Sequence, residues 1–119
     1  MSDYYYQRFN NRLKYGNIRT ENRGGKFQSK KEARKWQELE MLKKNGDIKD
    51  FGKQLKLSLD VNGVHIANYY LDFWIENHDG SLEYIEIKSP ITMTPTWKLK
   101  WKLAKVLYPD PNIKWIVEL

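Results

Sequence analysis

The sequence predicts a mixed α/β domain whose elements follow the order α-β-β-β-α-β. Two segments carry helix start and stop signals around apolar residues spaced three or four apart. Four other segments alternate apolar and polar residues, as half-buried strands do. With 119 residues, 40% hydrophobic and 30% charged, the chain has the size and composition of one globular domain.

The first predicted helix runs from Ser29 to about Asn45, and Gly46 ends it. Ser29 and Glu32 form a capping box, in which each side chain satisfies a free backbone N–H of the other. The apolar residues recur every three positions, at Ala33, Trp36, Leu39 and Leu42.

Three strands are predicted next. Residues 55–61 alternate, Asn62-Gly63 is a strong hairpin signal, and residues 64–75 form a long second strand with a bend or bulge expected near Ala67-Asn68. Residues 82–88 form the third strand. Thr94-Pro95 then opens a second helix that reaches Tyr108, with Trp97 and Trp101 packed on the sheet, and residues 113–119 alternate as a last strand.

The excess positive charge lies in the N-terminal quarter. Residues 1–31 hold eight Lys and Arg against two acidic residues, whereas the remainder carries thirteen of each sign. We therefore predict a basic, flexible arm over residues 1–28 and a folded domain over residues 29–119. Such an arm suits a polyanion, with nucleic acid as the first candidate, but a solvated tail fits the composition equally. The basic residues of the arm are Arg8, Arg12, Lys14, Arg19, Arg23 and Lys26.

Cellular location is predicted only from what the sequence lacks. There is no cysteine, no apolar run long enough to span a membrane and no signal-peptide pattern. The expected location is therefore the cytoplasm, with no membrane partner.

Two carboxylates and a lysine are predicted to meet on the central hairpin. Tyr84, Glu86 and Lys88 point to one face of their strand because residues two apart share a face. If the preceding turn pivots on Asp79, Asp72 lies opposite Glu86, with Cβ atoms roughly 5 Å apart. Leu71, Phe73 and Ile75 are then predicted to share the opposite face of the second strand.

Two carboxylates at that separation repel unless a proton or a cation lies between them. Hard divalent ions take oxygen ligands, and a neighbouring lysine would add positive charge beside a phosphate oxygen. Asp72, Glu86 and Lys88 therefore predict a site for Mg²⁺ or Mn²⁺. The alternative is an exposed salt-bridge cluster on a solvated sheet face, which would be common and weakly stabilising.

The element order and four segments together resemble the PD-(D/E)xK nuclease superfamily. The segments are FQSKKEARKWQELEMLKKNGDIKDFGKQ (27–54), YYLDFW (69–74), YIEIKS (84–89) and TPTWKLKWKLAKVLYP (94–109). Within the superfamily the chain looks most like small phage Holliday junction resolvases of the endonuclease I type. The resemblance implies a restriction-endonuclease-like core, with a central mixed sheet flanked by two helices. The proline that the superfamily has before its first acid is absent, since Leu71 precedes Asp72.

The resemblance implies a role for each site residue. Asp72, Glu86 and the backbone carbonyl of Ile87 would bind the metal, and Lys88 would orient the attacking water. Glu32 would complete a second-metal or water-positioning site, although its place in the capping box already accounts for it. Gln54 stands where relatives often have a polar residue near the metal, but a glutamine at a strand edge is usually only solvated.

These expectations define a function. Lys98, Lys102 and Lys105 form a basic stripe on the second helix that would contact phosphates without reading sequence. We expect a metal-dependent endonuclease acting on branched DNA such as four-way junctions, and a homodimer, because symmetrical cleavage needs two sites. The alternatives are a nuclease of the same fold with a restriction-type or transposon-end target, and a non-catalytic DNA-binding module.

Overall fold

The structure is a computed structural model that describes residues 20–22, 25–27 and 29–119, the first two segments by their backbone. The elements are β1 (Thr20–Asn22), β2 (Gly25–Phe27), α1 (Lys30–Lys44), β3 (Asp50–Val61), β4 (Val64–Glu76), β5 (Leu82–Ile87), α2 (Pro95–Leu107) and β6 (Ile113–Glu118), with a 3-10 turn at Pro90–Thr92. From α1 onward they follow the predicted order.

The main sheet has four strands in the order β3-β4-β5-β6. The first three strands pair antiparallel through hairpins, whereas β5 and β6 pair parallel because α2 carries the chain back across the sheet. The fold is thus a mixed α+β domain with one mixed sheet and two helices, as predicted at that level. In the described part of the chain, no helix is long and apolar enough to span a membrane.

The helices begin at the predicted caps. The Ser29 hydroxyl accepts the backbone N–H of Glu32 at 3.1 Å, and the Thr94 hydroxyl accepts that of Trp97 at 3.1 Å. Pro95 is the first residue of α2, where its missing N–H costs no hydrogen bond.

The N-terminal arm lies mostly outside the described residues. Within the segment assigned to it, β1 and β2 form a short antiparallel hairpin that contacts α1. Arg8, Arg12, Lys14, Arg19 and Arg23 lie outside the described residues, as does the side chain of Lys26 in β2. Their contact with nucleic acid therefore remains a prediction.

Two hydrophobic clusters lie under the two helices. The α1 cluster is built around Leu39, Phe73 and Ile85, all at most 2% exposed. The α2 cluster is built around Leu59, Leu71 and Ala104, none of which is exposed. Consequently α1 and α2 each cover a separate apolar part of the sheet.

The prediction that side chains alternate strictly between the two faces along β4 is wrong at one point. Leu71 belongs to the α2 cluster, whereas Phe73 and Ile75 belong to the α1 cluster, although all three were predicted to share a face. The cause lies on β3, where Gln54 has a positive φ of 56° and the ladder skips from the pair Lys53–Phe73 to the pair Leu55–Leu71. A residue in the left-handed conformation interrupts the pleat. Beyond it, the side chains of each strand that faced one side of the sheet face the other side.

The boundaries of β3 and β4 also depart from regular pairing. β3 begins at Asp50 instead of residue 55, so that Gln54 lies inside the strand. The register of β3 with β4 shifts between Leu59 and Asp60, opposite Ala67 and His65, which confirms the irregularity expected near Ala67-Asn68.

Candidate functional site

A cleft of about 620 Å³ lies at the carboxyl end of β5, between the first turns of α1 and α2. Its lining contains all four residues predicted to be catalytic, together with two further lysines and five Ser and Thr side chains. The charged lining residues are Lys31, Glu32, Asp72, Glu86, Lys88 and Lys100. The Ser and Thr residues are Ser29, Ser89, Thr92, Thr94 and Thr96.

The register of the central hairpin brings the two carboxylates together. Phe73 pairs with Ile85, the register in which Asp72 falls opposite Glu86 as predicted. The ladder between β4 and β5 ends at that pair, and Asp72 Oδ2 instead accepts the backbone N–H of Ile87 at 2.8 Å. A carboxylate therefore takes the place of a strand partner, which fixes Asp72 beside Glu86.

Glu86 is buried, with only 2% of its surface exposed. Its carboxylate accepts a hydrogen bond from the Tyr69 hydroxyl, which in turn accepts one from Trp97 Nε1 at 3.0 Å. This chain of hydrogen bonds connects α2 to the carboxylate. Tyr69 was not identified from the sequence, because its odd position would place it on the other face of a regular β4.

Burial raises the pKa of Glu86 well above its usual range, and the charge of Asp72 and its hydrogen bond to Glu86 add to this increase. The Tyr69 hydrogen bond and the Lys88 charge act in the opposite direction and favour the ionised form. Burial and the charge of Glu86 also raise the pKa of Tyr69, which keeps the phenol protonated as a donor. The two carboxylates of Asp72 and Glu86, called the carboxylate pair, therefore repel each other unless a proton or a cation lies between them.

Lys88 lies on the same side as the carboxylate pair. Its ammonium is 4.7 Å from the centre of the Trp97 ring, a cation–π contact that leaves its N–H donors available. The sequence prediction that Tyr84, Glu86 and Lys88 share a face agrees with their contacts, since all three face residues of the α2 cluster or Trp97 itself.

Glu32 combines the two roles that the sequence analysis weighed. It occupies the third position of α1 under the Ser29 cap, yet it is buried and lines the cleft. Its negative charge acts on Lys53, a lysine only 7% exposed whose ammonium lies 5.3 Å from the ring centre of Trp36. Burial lowers the pKa of Lys53 to about 8, against the charge of Glu32, which raises it.

Other predicted residues lie outside the cleft. Lys98, Lys102 and Lys105 are exposed on α2, and Lys105 lies over the Trp101 ring at 5.9 Å. Gln54 is 2% exposed, so the expectation that it is merely solvated is wrong, but it does not line the cleft. The lysines that do line it beside Lys88 are Lys31 and Lys100.

The donor set suits a hard divalent ion with few protein ligands. In residues 29–119, no three His, Asp or Glu side chains lie close enough to ligate one ion together. Two carboxylates and the Ile87 carbonyl provide oxygen donors of the kind that Mg²⁺ and Mn²⁺ accept while retaining waters. Glu32 shares the cleft but does not join the carboxylate pair as a third side-chain ligand.

Residues 12–119 match a protein family described as "Protein of unknown function (DUF1064)". This match covers most of the chain, and the protein therefore belongs to that family. Neither the curated proteins nor the solved structures include a significant match to the chain.

Proposed function

We propose that this protein is a metal-dependent endonuclease that hydrolyses DNA phosphodiester bonds, with branched DNA such as a four-way junction as its substrate. The observation that carries the proposal is the carboxylate pair, buried in part and set beside Lys88 in an open cleft. Juxtaposed carboxylates with a raised pKa are a common feature of functional sites, because folding alone would not select such repulsion.

Asp72 and Glu86, with the carbonyl of Ile87, are the residues proposed to hold Mg²⁺ or Mn²⁺. Such an ion polarises a phosphoryl oxygen and lowers the pKa of a bound water. The hydrogen bonds from Ile87 N–H to Asp72 and from Tyr69 to Glu86 orient the ligand oxygens.

Lys88 is proposed to stabilise the charge that builds on the phosphate. Its ammonium is held over Trp97 and forms no ion pair with an acidic side chain of residues 29–119, while its charge favours the ionised form of Glu86. Glu32, kept near Lys53, is proposed to position a water or a second ion from the α1 side of the cleft.

The finer architecture is part of the same proposal. The order α-β-β-β-α-β with a mixed sheet is that of a restriction-endonuclease-like core, in which the carboxylates lie on the second and third strands. Cleavage of a four-way junction on two strands requires two such sites, so a homodimer in the cytoplasm is proposed, with the basic arm contributing to DNA binding.

The decisive experiment measures cleavage of a four-way junction and of a duplex with the same sequences, in Mg²⁺, Mn²⁺ or EDTA. Wild type is expected to cut the junction only with metal, whereas Asp72→Asn and Lys88→Ala bind it without cutting. Asp47→Asn, at an exposed position, is the control for loss of a carboxylate. If folded wild type binds the junction but never cuts any DNA, the non-catalytic DNA-binding alternative replaces this proposal.

A further inference from the structure

The cleft has lysines on two of its walls, one contributed by each helix. Lys31 comes from the first turn of α1 and Lys100 from the second turn of α2, and both line the cleft with Lys88. The cleft thus combines the carboxylate pair with basic walls that belong to different helices.

Both wall lysines are anchored by backbone carbonyls. Lys31 Nζ donates to the carbonyl of Lys88 at 3.3 Å, and Lys100 Nζ donates to that of Asn68 at 3.3 Å. A carbonyl occupies one of the three N–H donors of an ammonium and leaves its charge intact. Within residues 29–119, neither lysine forms an ion pair, in contrast to Lys35, Lys43 and Lys49.

The chemistry of the walls selects a ligand with several negative charges. A phosphodiester with a single phosphate would lie over the carboxylate pair and meet Lys88, but it would leave the two wall ammonium groups without an anionic partner. A polynucleotide presents phosphates on both sides of the scissile one, and each can accept the free donors of a wall lysine. Thr96 and Ser89 add hydroxyl groups along the same lining.

We infer that Lys31 and Lys100 bind the backbone phosphates that flank the scissile phosphate, so that the cleft recognises a continuous polynucleotide strand. This inference rests on the proposed function and assigns the DNA track to the cleft walls. The exposed stripe of Lys98, Lys102 and Lys105, which the sequence favoured, then makes at most a peripheral contribution.

The test measures binding of a fluorescent DNA junction in EDTA by anisotropy at several salt concentrations. Removing both wall lysines, in Lys31→Ala/Lys100→Ala, is expected to weaken binding roughly 10-fold or more and to reduce the salt slope by about 2. Lys98→Ala/Lys102→Ala makes the same charge change on exposed α2 positions and is expected to leave the slope near the wild-type value. Circular dichroism melting checks that both double variants are folded.

A second measurement separates the flanking contacts from the chemistry. With Mn²⁺, the wall variant is expected to lose a much larger fraction of its DNA cleavage than of its hydrolysis of bis(4-nitrophenyl) phosphate, which has no flanking phosphates. Equal loss of DNA binding in the two double variants, or a greater loss in the exposed one, overturns the inference and leaves the proposed nuclease intact. If wild type neither binds nor cuts any DNA, the proposed function itself fails.

Discussion

Tyr69 is the residue that most directly supports the carboxylate pair. It donates to Glu86 and accepts from Trp97, so that a strand, a helix and the candidate ligand are joined by one side chain. A hydrogen bond to the ionised form of a buried carboxylate offsets part of its desolvation cost. Because Lys88 lies over the ring of Trp97, the same indole also positions the ammonium group.

Replacing Tyr69 with Phe is expected to weaken Mn²⁺ binding about 10-fold, the lower end of the effects reported for groups that orient metal ligands. Isothermal titration with Mn²⁺ at neutral pH measures this directly. Tyr108→Phe is the matched control, because its hydroxyl donates to the Ser58 carbonyl at 2.9 Å, away from the cleft. Each variant should lose about 1 kcal/mol of unfolding free energy. Equal Mn²⁺ affinities in both variants would show that Tyr69 is structural only.

Lys53 makes the stability of the protein depend on pH in the alkaline range. Its native pKa is about 8, below the ordinary value of 10.5, so the folded chain binds this proton less tightly than the unfolded chain does. The contribution of Lys53 to the unfolding free energy is therefore present above the unfolded pKa and is lost as the pH falls through about 8.

Urea unfolding of wild type and Lys53→Met tests this assignment. The unfolding free energy of wild type minus that of the variant is expected to increase between about pH 7 and about pH 9.5. Lys49→Met, whose lysine side chain is 60% exposed, should show no such trend. A flat difference for Lys53→Met would mean that its ammonium titrates as an exposed lysine does.

At the scale of elements, the side chains of β3 and β4 change faces of the sheet beside Asp72. Gln54 adopts the left-handed conformation directly across from Asp72, where the ladder lacks a pair. Close by, Gly52 pairs with Trp74, and a methyl group at Gly52 would overlap the indole ring. The bare backbone of Gly52 therefore lets Trp74 lie across β3.

Gly52→Ala is expected to lower the unfolding free energy by roughly 1–3 kcal/mol, because a buried methyl group must displace the indole. Chemical denaturation of Gly52→Ala, Trp74→Leu and the double variant gives the coupling energy. The second substitution should recover much of the loss caused by the first, since a shorter side chain leaves space above residue 52. Additive losses would show that the methyl group is accommodated without contact with Trp74.

The sequence predicts those parts of the fold that depend on local signals. The caps at Ser29 and Thr94 predicted the helix starts. The turn centred on Asp79 predicted the register that places residue 72 opposite residue 86, and Asn62-Gly63 predicted the hairpin between β3 and β4. The start of β3 was missed, because Gly52, Lys53 and Gln54 have weak strand preference and no alternation of polarity.

The missed part of the site has a different cause. Lys31 and Lys100 line the cleft because two helix starts meet at the end of β5, which is a tertiary arrangement that no local pattern encodes. The i, i+4, i+7 spacing of Lys98, Lys102 and Lys105 predicted a basic stripe on α2, and all three side chains are exposed there. The spacing alone does not show which other parts of the molecule lie next to the stripe.

At the scale of the whole molecule, the candidate site joins elements that are far apart in the chain. Glu32 comes from α1, Asp72 from β4, Glu86 from β5 and Trp97 from α2, and the cleft is where they converge. The two carboxylates are held together and partly removed from water only in the folded protein. Their repulsion is therefore a cost to the native state alone, and it should be measurable as missing stability.

Asp72→Asn is expected to raise the unfolding free energy in EDTA by roughly 1 kcal/mol near pH 8, since the amide keeps an acceptor for Ile87 N–H and removes one charge. The sign follows from Glu86, whose raised native pKa makes wild type less stable as the pH rises from the ordinary glutamate range through that pKa. The advantage of the variant should consequently shrink as the pH falls towards the ordinary glutamate range.

Thermal melts with and without Mn²⁺ complete the argument. Mn²⁺ should raise the melting temperature of wild type and of Asp47→Asn, because binding to the native state adds to stability, and should leave Asp72→Asn nearly unchanged. If the carboxylate pair binds a cation, Asp72→Asn should have two effects together. It should increase stability without metal, and it should abolish the response of the melting temperature to metal. An Asp72→Asn protein less stable than wild type in EDTA near pH 8 would remove the electrostatic basis of the metal site.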